Sequence, residues 1–311
     1  MTRRRFVQLS GVVATGATVA GCGALSYVNA PTPPASSFRD ATLTLGPTRI
    51  TALKTGAVAV KATHREYGGL VALRLPAIAL DPRWTPWMPI TCWLIEHPEG
   101  AIMVDTGETA QVAEPGYFAC DAATRFVYER LLRFDVSREV EVDAQLNALG
   151  VPAETIRTVA LTHLHSDHAG GLKHFPNATF LTSEAEARQA PAGAVSCRWP
   201  SFFQPTPVTY GDGPFGAFAE SHALTTDGAV RLVPTPGHTR GHQSVLICHA
   251  DEWALLAGDA SFSRDQVERR AVAGICEDVK TARRTLAVIA EHLEQYETTY
   301  MASHALPDGE G

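Results

Sequence analysis

Four side chains that bind divalent metals lie within six positions of one another. The stretch LTHLHSDHAGGL (161–172) places His163, His165, Asp167 and His168 after a short apolar segment. Residues two apart in an extended backbone project to the same side, so His163 and His165 can face one ion. Asp167 and His168 follow after the chain has turned and can face a second ion. Imidazole and carboxylate suit Zn²⁺ and similar ions, so the cluster predicts a metal site.

Three further candidate ligands end apolar segments later in the chain. His238 lies in TPGHTRGH, Asp259 in LLAGDAS and His304 in YMASH. Polar residues at strand ends lie in loops that a rigid scaffold positions. A pair of ions about 3.5–4 Å apart can share one hydroxide and hold the substrate oxygens. Such a pair needs more ligands than the cluster supplies, and these three residues complete the set.

Apolar patterning indicates the elements that must position these residues. TCWLIEH (91–97) and AIMVDTG (101–107) predict a hairpin, and IRTVALT (156–162) a strand that leads into the histidine cluster. Helix-spaced apolar positions predict helices over 124–134, over 137–150 with Ser137 as N-cap and Gly150 at the end, and over 276–296. Further strands are predicted at 178–183, 230–237, 243–249, 253–259 and 298–304. Strands and helices mixed in this order predict an α/β or α+β sandwich, with 189–229 as its least regular part.

Composition restricts the class of protein. The 311 residues are 45% hydrophobic and 19% charged, as in an ordinary globular protein, and carry a formal net charge of −7. An acidic balance argues against nucleic acid as the main partner. Five of the six cysteines follow Cys22, at wide spacings that match neither a disulfide framework nor a CxxC metal site. One disulfide remains open, without an assigned pairing.

The N-terminus has the pattern of an export signal. A basic cluster, Arg3 to Arg5, precedes an apolar run too short to span a membrane. TRRRFVQ resembles the twin-arginine signal, and VAGC (19–22) resembles a bacterial lipobox with Cys22 as the lipidated residue. We therefore predict a signal peptide at 1–21, a lipidated cysteine with a Pro-rich tether at 22–40, and a hydrolase domain at 41–311. The predicted location is the periplasmic face of the membrane or the cell envelope; an ordinary cleaved signal is the alternative.

The motifs THLHSDHAGGL, PTPGHTRGH and AGDAS, followed by a late SH, resemble those of the metallo-β-lactamase superfamily. WLIEHPEGAIMVDTG is similar to its upstream hairpin. The nearest resemblance is to the branch of the N-acyl homoserine lactonases and methyl parathion hydrolase-like enzymes. It implies a single-domain α+β fold, an αββα sandwich, with the site at one edge of two packed sheets.

The resemblance also implies a role for each candidate residue. It gives one metal to His163, His165 and His238, and the other to Asp167, His168 and His304. Asp259 would bridge the two ions, and Asp105 of VDTG would orient ligand histidines. The cofactor implied is two Zn²⁺ or another divalent ion. His97, His174, His222, His242, His249 and His292 match no ligand position, and His64 is left undecided.

The reaction implied is hydrolysis by a dinuclear-zinc enzyme in which a metal-bridging hydroxide attacks an ester or lactone carbonyl. Asp167 would shuttle the proton, and acyl homoserine lactones, as in quorum quenching, are the favoured substrates. Many such lactonases carry Tyr three residues after the bridging Asp, where this chain has Phe262. An apolar Phe262 keeps an arylesterase or organophosphate hydrolase as the alternative. Six loop aromatics could line the same pocket: Trp84, Trp87, Phe202, Phe203, Phe215 and Phe218.

A non-catalytic metal-binding lipoprotein is the alternative from another class. The expected partners are a small ester or lactone and the membrane, through the anchor at Cys22, with no nucleic acid. The oligomeric state stays open, with a homodimer as one alternative.

Overall fold

The computed structural model describes residues 41–305. The strands are β1 (Ala41–Leu45), β2 (Thr48–Val60), β3 (Met88–His97), β4 (Gly100–Val104), β5 (Leu132–Asp135), β6 (Thr158–Ala160), β7 (Thr179–Ser183), β8 (Pro205–Val208), β9 (His222–Ala223), β10 (Val230–Pro234), β11 (Gln243–His249), β12 (Glu252–Gly258) and β13 (Thr298–Ala302). The helices are α1 (Ala62–Arg65), α2 (Arg74–Leu80), α3 (Ala122–Leu131), α4 (Val142–Ala148), α5 (Ser166–Ala169), α6 (Glu184–Arg188), α7 (Arg264–Arg269) and α8 (Val279–Gln295).

Two mixed sheets form the centre of the fold. The first has the order β1-β2-β3-β4-β6-β7-β8, with β5 paired to β2, and the second has the order β13-β12-β11-β10-β9. β3 and β4 form the predicted antiparallel hairpin, in which Trp93 lies opposite Val104. From β4 to β8 the pairing is parallel, and so is that of β12 with β13. Parallel pairs bring the carboxyl ends of their strands to one edge of a sheet.

The two sheets pack face to face, and helices cover their outer faces. Ile50 and Trp93 of the first sheet share a buried cluster with Leu232 and Val245 of the second. On the far side of the first sheet α4 contributes Val142 and Leu146 to the core. On the far side of the second sheet α8 contributes Leu286 and Ile289. These four layers are the αββα sandwich that the sequence predicted.

Two helix predictions were wrong in part. α3 ends at Leu131, and Leu132–Asp135 forms β5, which pairs with Ala57–Val60 of β2. Here pairing with a strand distant in sequence outweighs local helix propensity. α4 begins only at Val142, after a 3₁₀ turn before which the Ser137 side chain makes no cap hydrogen bond. Gly150 follows that helix with a positive φ of 76°, as predicted for its end.

The predictions for the N-terminus lie outside the described residues. The signal peptide (1–21), the lipidation of Cys22 and the tether (22–40) therefore remain predictions. Within residues 41–305, none of the helices combines the length and the apolar character needed to cross a membrane.

Candidate metal centre and substrate cavity

The structure brings all seven predicted ligand residues together at one edge of the sandwich. They are carried by the segments that follow β6, β10, β12 and β13, and by α5: His163, His165, Asp167, His168, His238, Asp259 and His304. Each segment leaves a buried strand and turns, so the strands set the positions of the side chains. All seven are buried except His165, which is half-buried. Metal ligation by these residues remains a prediction.

Three histidines form the first half of the site. His163 Nε2 lies 2.9 Å from His165 Nδ1, which lies 3.0 Å from His238 Nε2. His165 uses its other ring nitrogen, Nε2, to donate to the carbonyl of Ala192 at 3.0 Å. A neutral ring that donates from Nε2 has a lone pair at Nδ1, so this nitrogen faces its neighbours as an acceptor. A cation at the point where the three nitrogens converge would satisfy them together.

Two carboxylates and two histidines form the second half. Asp167 Oδ2 lies 3.3 Å from His304 Nε2, and Asp167 Oδ1 lies 3.9 Å from His168 Nε2. Asp259 faces both halves: Oδ1 is 3.3 Å from His168 Nε2, and Oδ2 is 3.6 Å from His238 Nε2. This placement of its two oxygens is the one a bridging carboxylate requires.

Unpartnered buried atoms support the fit of these residues to divalent ions. Among the described residues, His168 Nε2 and Asp259 Oδ1 are fully buried and lie 3.3 Å apart, but neither atom makes a hydrogen bond of favourable geometry. Leaving buried polar groups without a good hydrogen bond costs about 1–3 kcal/mol each, more for charged groups. Imidazole nitrogens and carboxylate oxygens in this number are the donors that zinc prefers. The residues present therefore fit two divalent ions.

Asp105 fixes the orientation of His168. Its Oδ2 lies 2.8 Å from His168 Nδ1, which leaves Nε2 of that ring to face the site. Asp105 also accepts from the backbone N–H of Thr162 at 2.7 Å and from its hydroxyl at 2.9 Å. It is fully buried and has a φ of 59°, a left-handed conformation that is costly for a residue other than glycine. The contacts match the positioning role that the resemblance implied.

Protonation differs between the two halves. Burial lowers the pKa of His165, and lowers that of His163 and His238 well below the usual value, so these rings are neutral. Burial also disfavours charge on His168 and His304. There the carboxylates outweigh it, raising the pKa of His168 well above its usual value and that of His304 to about 10. The second half therefore needs positive charge beside its carboxylates, which a divalent ion supplies as protons do.

Several buried hydrogen bonds hold the short helix α5, which carries Asp167 and His168. The Ser166 hydroxyl donates to Glu108, and the Ser166 N–H donates to the hydroxyl of Tyr128 at 3.3 Å. Tyr128 in turn donates to the carbonyl of Gly193 at 2.6 Å. Burial raises the pKa of Glu108 to about 8. α5 is thus tied both to the β4–α3 connection and to the loop at 190–194.

His242 matches no ligand position, but it positions Asp259, one of the predicted ligands. Its Nε2 accepts from the backbone N–H of Asp259 at 3.0 Å, and its Nδ1 contacts the Thr235 hydroxyl at 2.8 Å. A Cβ on Gly258 would lie 2.8 Å from His242 Nε2, so the ring packs directly on this turn. The spacing of four residues from His238 in GHTRGH is the sequence signal that could have identified it.

A cavity of about 470 Å³ opens onto the site. His165, Asp167, His238, Asp259 and His304 line its floor. Its walls are largely apolar, formed by Val58, Val60, Leu75, Val127, Leu132, Phe262 and Ile275. The Phe262 ring lies over His304, with ring centroids 5.5 Å apart. Of the seven aromatic residues considered from sequence, Phe262 borders this cavity, whereas Phe203 and Phe218 pack into cores.

A disulfide between Cys120 and Cys197 connects two segments that contribute residues to this cavity. Cys120 directly precedes Asp121, the N-cap of α3, and Cys197 follows the loop that carries Ala192 and Gly193. The disulfide therefore links the start of α3 to that loop. Ala192 and Asp121 both line the cavity. This pairing is the one that the sequence left unassigned.

Comparison with known proteins identifies the family of this chain. Residues 85–301 match the family model described as the metallo-beta-lactamase superfamily. An N-acyl homoserine lactonase AttM from Rhizobium johnstonii is 34% identical over 218 residues, which are 66% of this chain and 78% of the relative. A probable metallo-hydrolase of Mycobacterium tuberculosis is 34% identical over 188 residues, 57% of this chain. The chain spans 58% of the length of that mycobacterial relative.

Solved structures show the same fold. An N-acyl homoserine lactone hydrolase with the product N-hexanoyl-L-homoserine at its catalytic metal center superposes with a TM-score of 0.66 at 21% identity, covering 83% of this chain and 93% of that one. AidC, a dizinc quorum-quenching lactonase, gives a TM-score of 0.60 at 17% identity, covering 87% and 92%.

Proposed function

Because the chain belongs to the metallo-beta-lactamase superfamily, in its lactonase-like branch, we propose that it is a dinuclear metal-dependent hydrolase of N-acyl homoserine lactones. The family and fold predictions are confirmed. The observation that carries the proposal is the cluster of seven metal-type donors, five of which line the floor of a cavity with apolar walls. A floor of metal-binding side chains suits the carbonyl group of a lactone, and apolar walls suit its acyl chain.

The chain's residues would hold the ions as the donor geometry suggests. His163, His165 and His238 would hold one ion, with Asp167, His168 and His304 holding the other and Asp259 shared. Divalent ions there would polarise a carbonyl oxygen and lower the pKa of water. Zinc is the ion that this mixture of imidazole and carboxylate favours.

Asp167 is the residue we assign to proton transfer. Burial acts to raise the pKa of this carboxyl, but the charge of His168 and the hydrogen bond with His304 lower it to about 2, so it is ionised. Its carboxylate borders the cavity, where a proton carrier would have to reach both the attacking water and the leaving alkoxide. Attack forms the new C–O bond, the ring C–O bond breaks, and Asp167 carries the proton from the water to the alkoxide.

An aryl ester or phosphotriester hydrolase is the second candidate. Phe262 favours it, because its ring presents an apolar face over His304 and carries no hydroxyl for a carbonyl oxygen. The two candidates differ in the substrate that the cavity binds best. The metal-binding residues are the same for both.

Turnover by the full chain tests the proposal. N-hexanoyl homoserine lactone, an aryl ester and a phosphotriester would be assayed with zinc-loaded and chelator-stripped protein, with metal content measured in parallel. We expect the highest kcat/KM for the lactone, loss after stripping and recovery with zinc. His238→Ala should lose both zinc and turnover, whereas His222→Ala, on β9, should lose neither. Preference for the other substrates would favour the second candidate, and no metal-dependent turnover would refute both.

The predicted membrane anchor is a separate proposal. We propose that Cys22 is lipidated at the periplasmic face of the membrane, from the lipobox pattern alone. Metabolic labelling with a fatty-acid probe, lost in Cys22→Ser, tests it.

A further inference from the structure

His64 is a buried polar residue that faces the catalytic cavity and is not among the predicted ligands. It is 7% exposed and lines the cavity together with His165, Asp167, His304 and Phe262. Its Nδ1 is fully buried without a hydrogen-bond partner, and its Nε2, which is not fully buried, makes no hydrogen bond within residues 41–305. A buried ring with neither nitrogen satisfied is unusual unless it serves a ligand.

The backbone around His64 is held firmly. Its carbonyl accepts from the N–H of Ile275 at 3.2 Å, and the carbonyl of Arg65 accepts from the side-chain amide of Gln266 at 3.0 Å. On the other side, Thr63 donates its N–H to Asp81 at 3.0 Å. A side chain on a backbone tied at successive residues keeps its position when a substrate enters, as a preorganised hydrogen-bond group requires.

The environment also selects the form of the ring. Burial lowers the pKa of His64 to about 4, so at neutral pH the ring carries one N–H. Placing that hydrogen on Nδ1 would leave a fully buried donor unpaired, which is costly. Placing it on Nε2 avoids this cost and offers a donor to the cavity that the ring lines.

We propose that His64 donates a hydrogen bond from Nε2 to the substrate carbonyl oxygen and stabilises the charge that develops there during hydrolysis. Phe262, in the same cavity, has no hydroxyl that could do so. The assignment rests on the proposed hydrolase function, since it gives His64 a role in that reaction. It predicts that a donor is required at this wall of the cavity, and that a hydroxyl at position 262 can partly replace it.

Three substitutions separate a donor from a packing residue. Gln places its amide nitrogen near the position of His Nε2, whereas Asn reaches only the region of Nδ1, and Phe removes both nitrogens. In the zinc-loaded full chain we expect His64→Phe and His64→Asn to lower kcat for the lactone about 100-fold with little change in KM. His64→Gln should retain activity within about tenfold of wild type. Zinc content and Tm should change little in all three.

A double variant and a binding measurement complete the test. Phe262→Tyr should raise kcat about tenfold in the His64→Phe background and less than about threefold in wild type, because only the former lacks a donor. Calorimetry with the product N-hexanoyl-L-homoserine should give a Kd about tenfold weaker for His64→Phe than for wild type. This readout does not depend on turnover.

The outcomes distinguish the role of His64 from the proposed hydrolase function. An active wild type with His64→Phe within threefold in kcat and Kd would refute the role of His64 and leave the hydrolase standing. Equal losses in the Gln and Asn variants would likewise refute a donor at Nε2. A wild type that turns over none of the substrates would overturn the hydrolase, and the role of His64 with it.

Discussion

The disulfide between Cys120 and Cys197 should stabilise the folded protein by several kcal/mol. The two residues are 77 apart in sequence, so the bond removes a long closed loop from the freedom of the unfolded chain. It also anchors the wall whose carbonyls, at Ala192 and Gly193, accept from His165 and Tyr128. Its loss should therefore affect both stability and substrate binding.

The chain-entropy relation gives the magnitude. For a loop of this length, the entropy removed corresponds to about 4.5 kcal/mol at 25 °C. Measured values for natural disulfides are about 2–5 kcal/mol, so this figure lies near the upper end. In a domain of this size, that loss corresponds to a Tm lower by about 10 °C.

The assay compares the oxidised wild type with the Cys120→Ser/Cys197→Ser variant by urea unfolding. Replacing both cysteines avoids a leftover thiol, and Cys248→Ser serves as the control because Cys248 is an unbridged, half-buried cysteine. We expect the double variant to lose about 4 kcal/mol and to show a raised KM, and the control to lose less than about 1 kcal/mol. A loss below about 1 kcal/mol in the double variant, or no linked peptide by mass spectrometry without reduction, would refute the reasoning.

Three further predictions concern the metal centre and its supports. Asp105→Asn should weaken zinc affinity about 10- to 100-fold in a chelator competition, whereas Asp251→Asn, at an exposed position, should leave it unchanged; equal affinities would contradict the positioning role. Adding zinc to stripped protein at 100 times its Kd should stabilise the fold by about 2.7 kcal/mol, and an unchanged Tm would argue against a site in the folded state. Burial acts to raise the pKa of Asp81, but hydrogen bonds from Arg83 and from the N–H of Thr63 lower it to about 2. The stability that this carboxylate contributes, about 1–2 kcal/mol, is therefore present above pH 4 and lost as the pH falls through 2. Asp81→Asn should be less stable than wild type at pH 7 and converge with it near pH 2; a difference that is the same at both pH values would contradict this assignment.

Much of the metal centre could be predicted from local sequence. His163 and His165 follow a strand at a spacing of two, and Asp259 and His304 each end an apolar run, so local geometry alone predicts where they project. Helix α8, with its strong apolar periodicity, and the β3–β4 hairpin could also be predicted from the sequence. These signals lie within one element or its end, where neighbouring residues determine the conformation.

Tertiary packing decided the features that depend on partners distant in sequence. Leu132–Asp135 forms a strand because it pairs with β2. Cys120 forms a disulfide with Cys197, which lies 77 residues later in the chain. The environment of His64 depends on contacts with residues some 200 positions later, since Gln266 and Ile275 hold its backbone against the cavity. Short segments of this chain thus contain the residue types that the chemistry needs. Their burial, the pairing of strands and cysteines, and the shared cavity arise only when distant segments pack together.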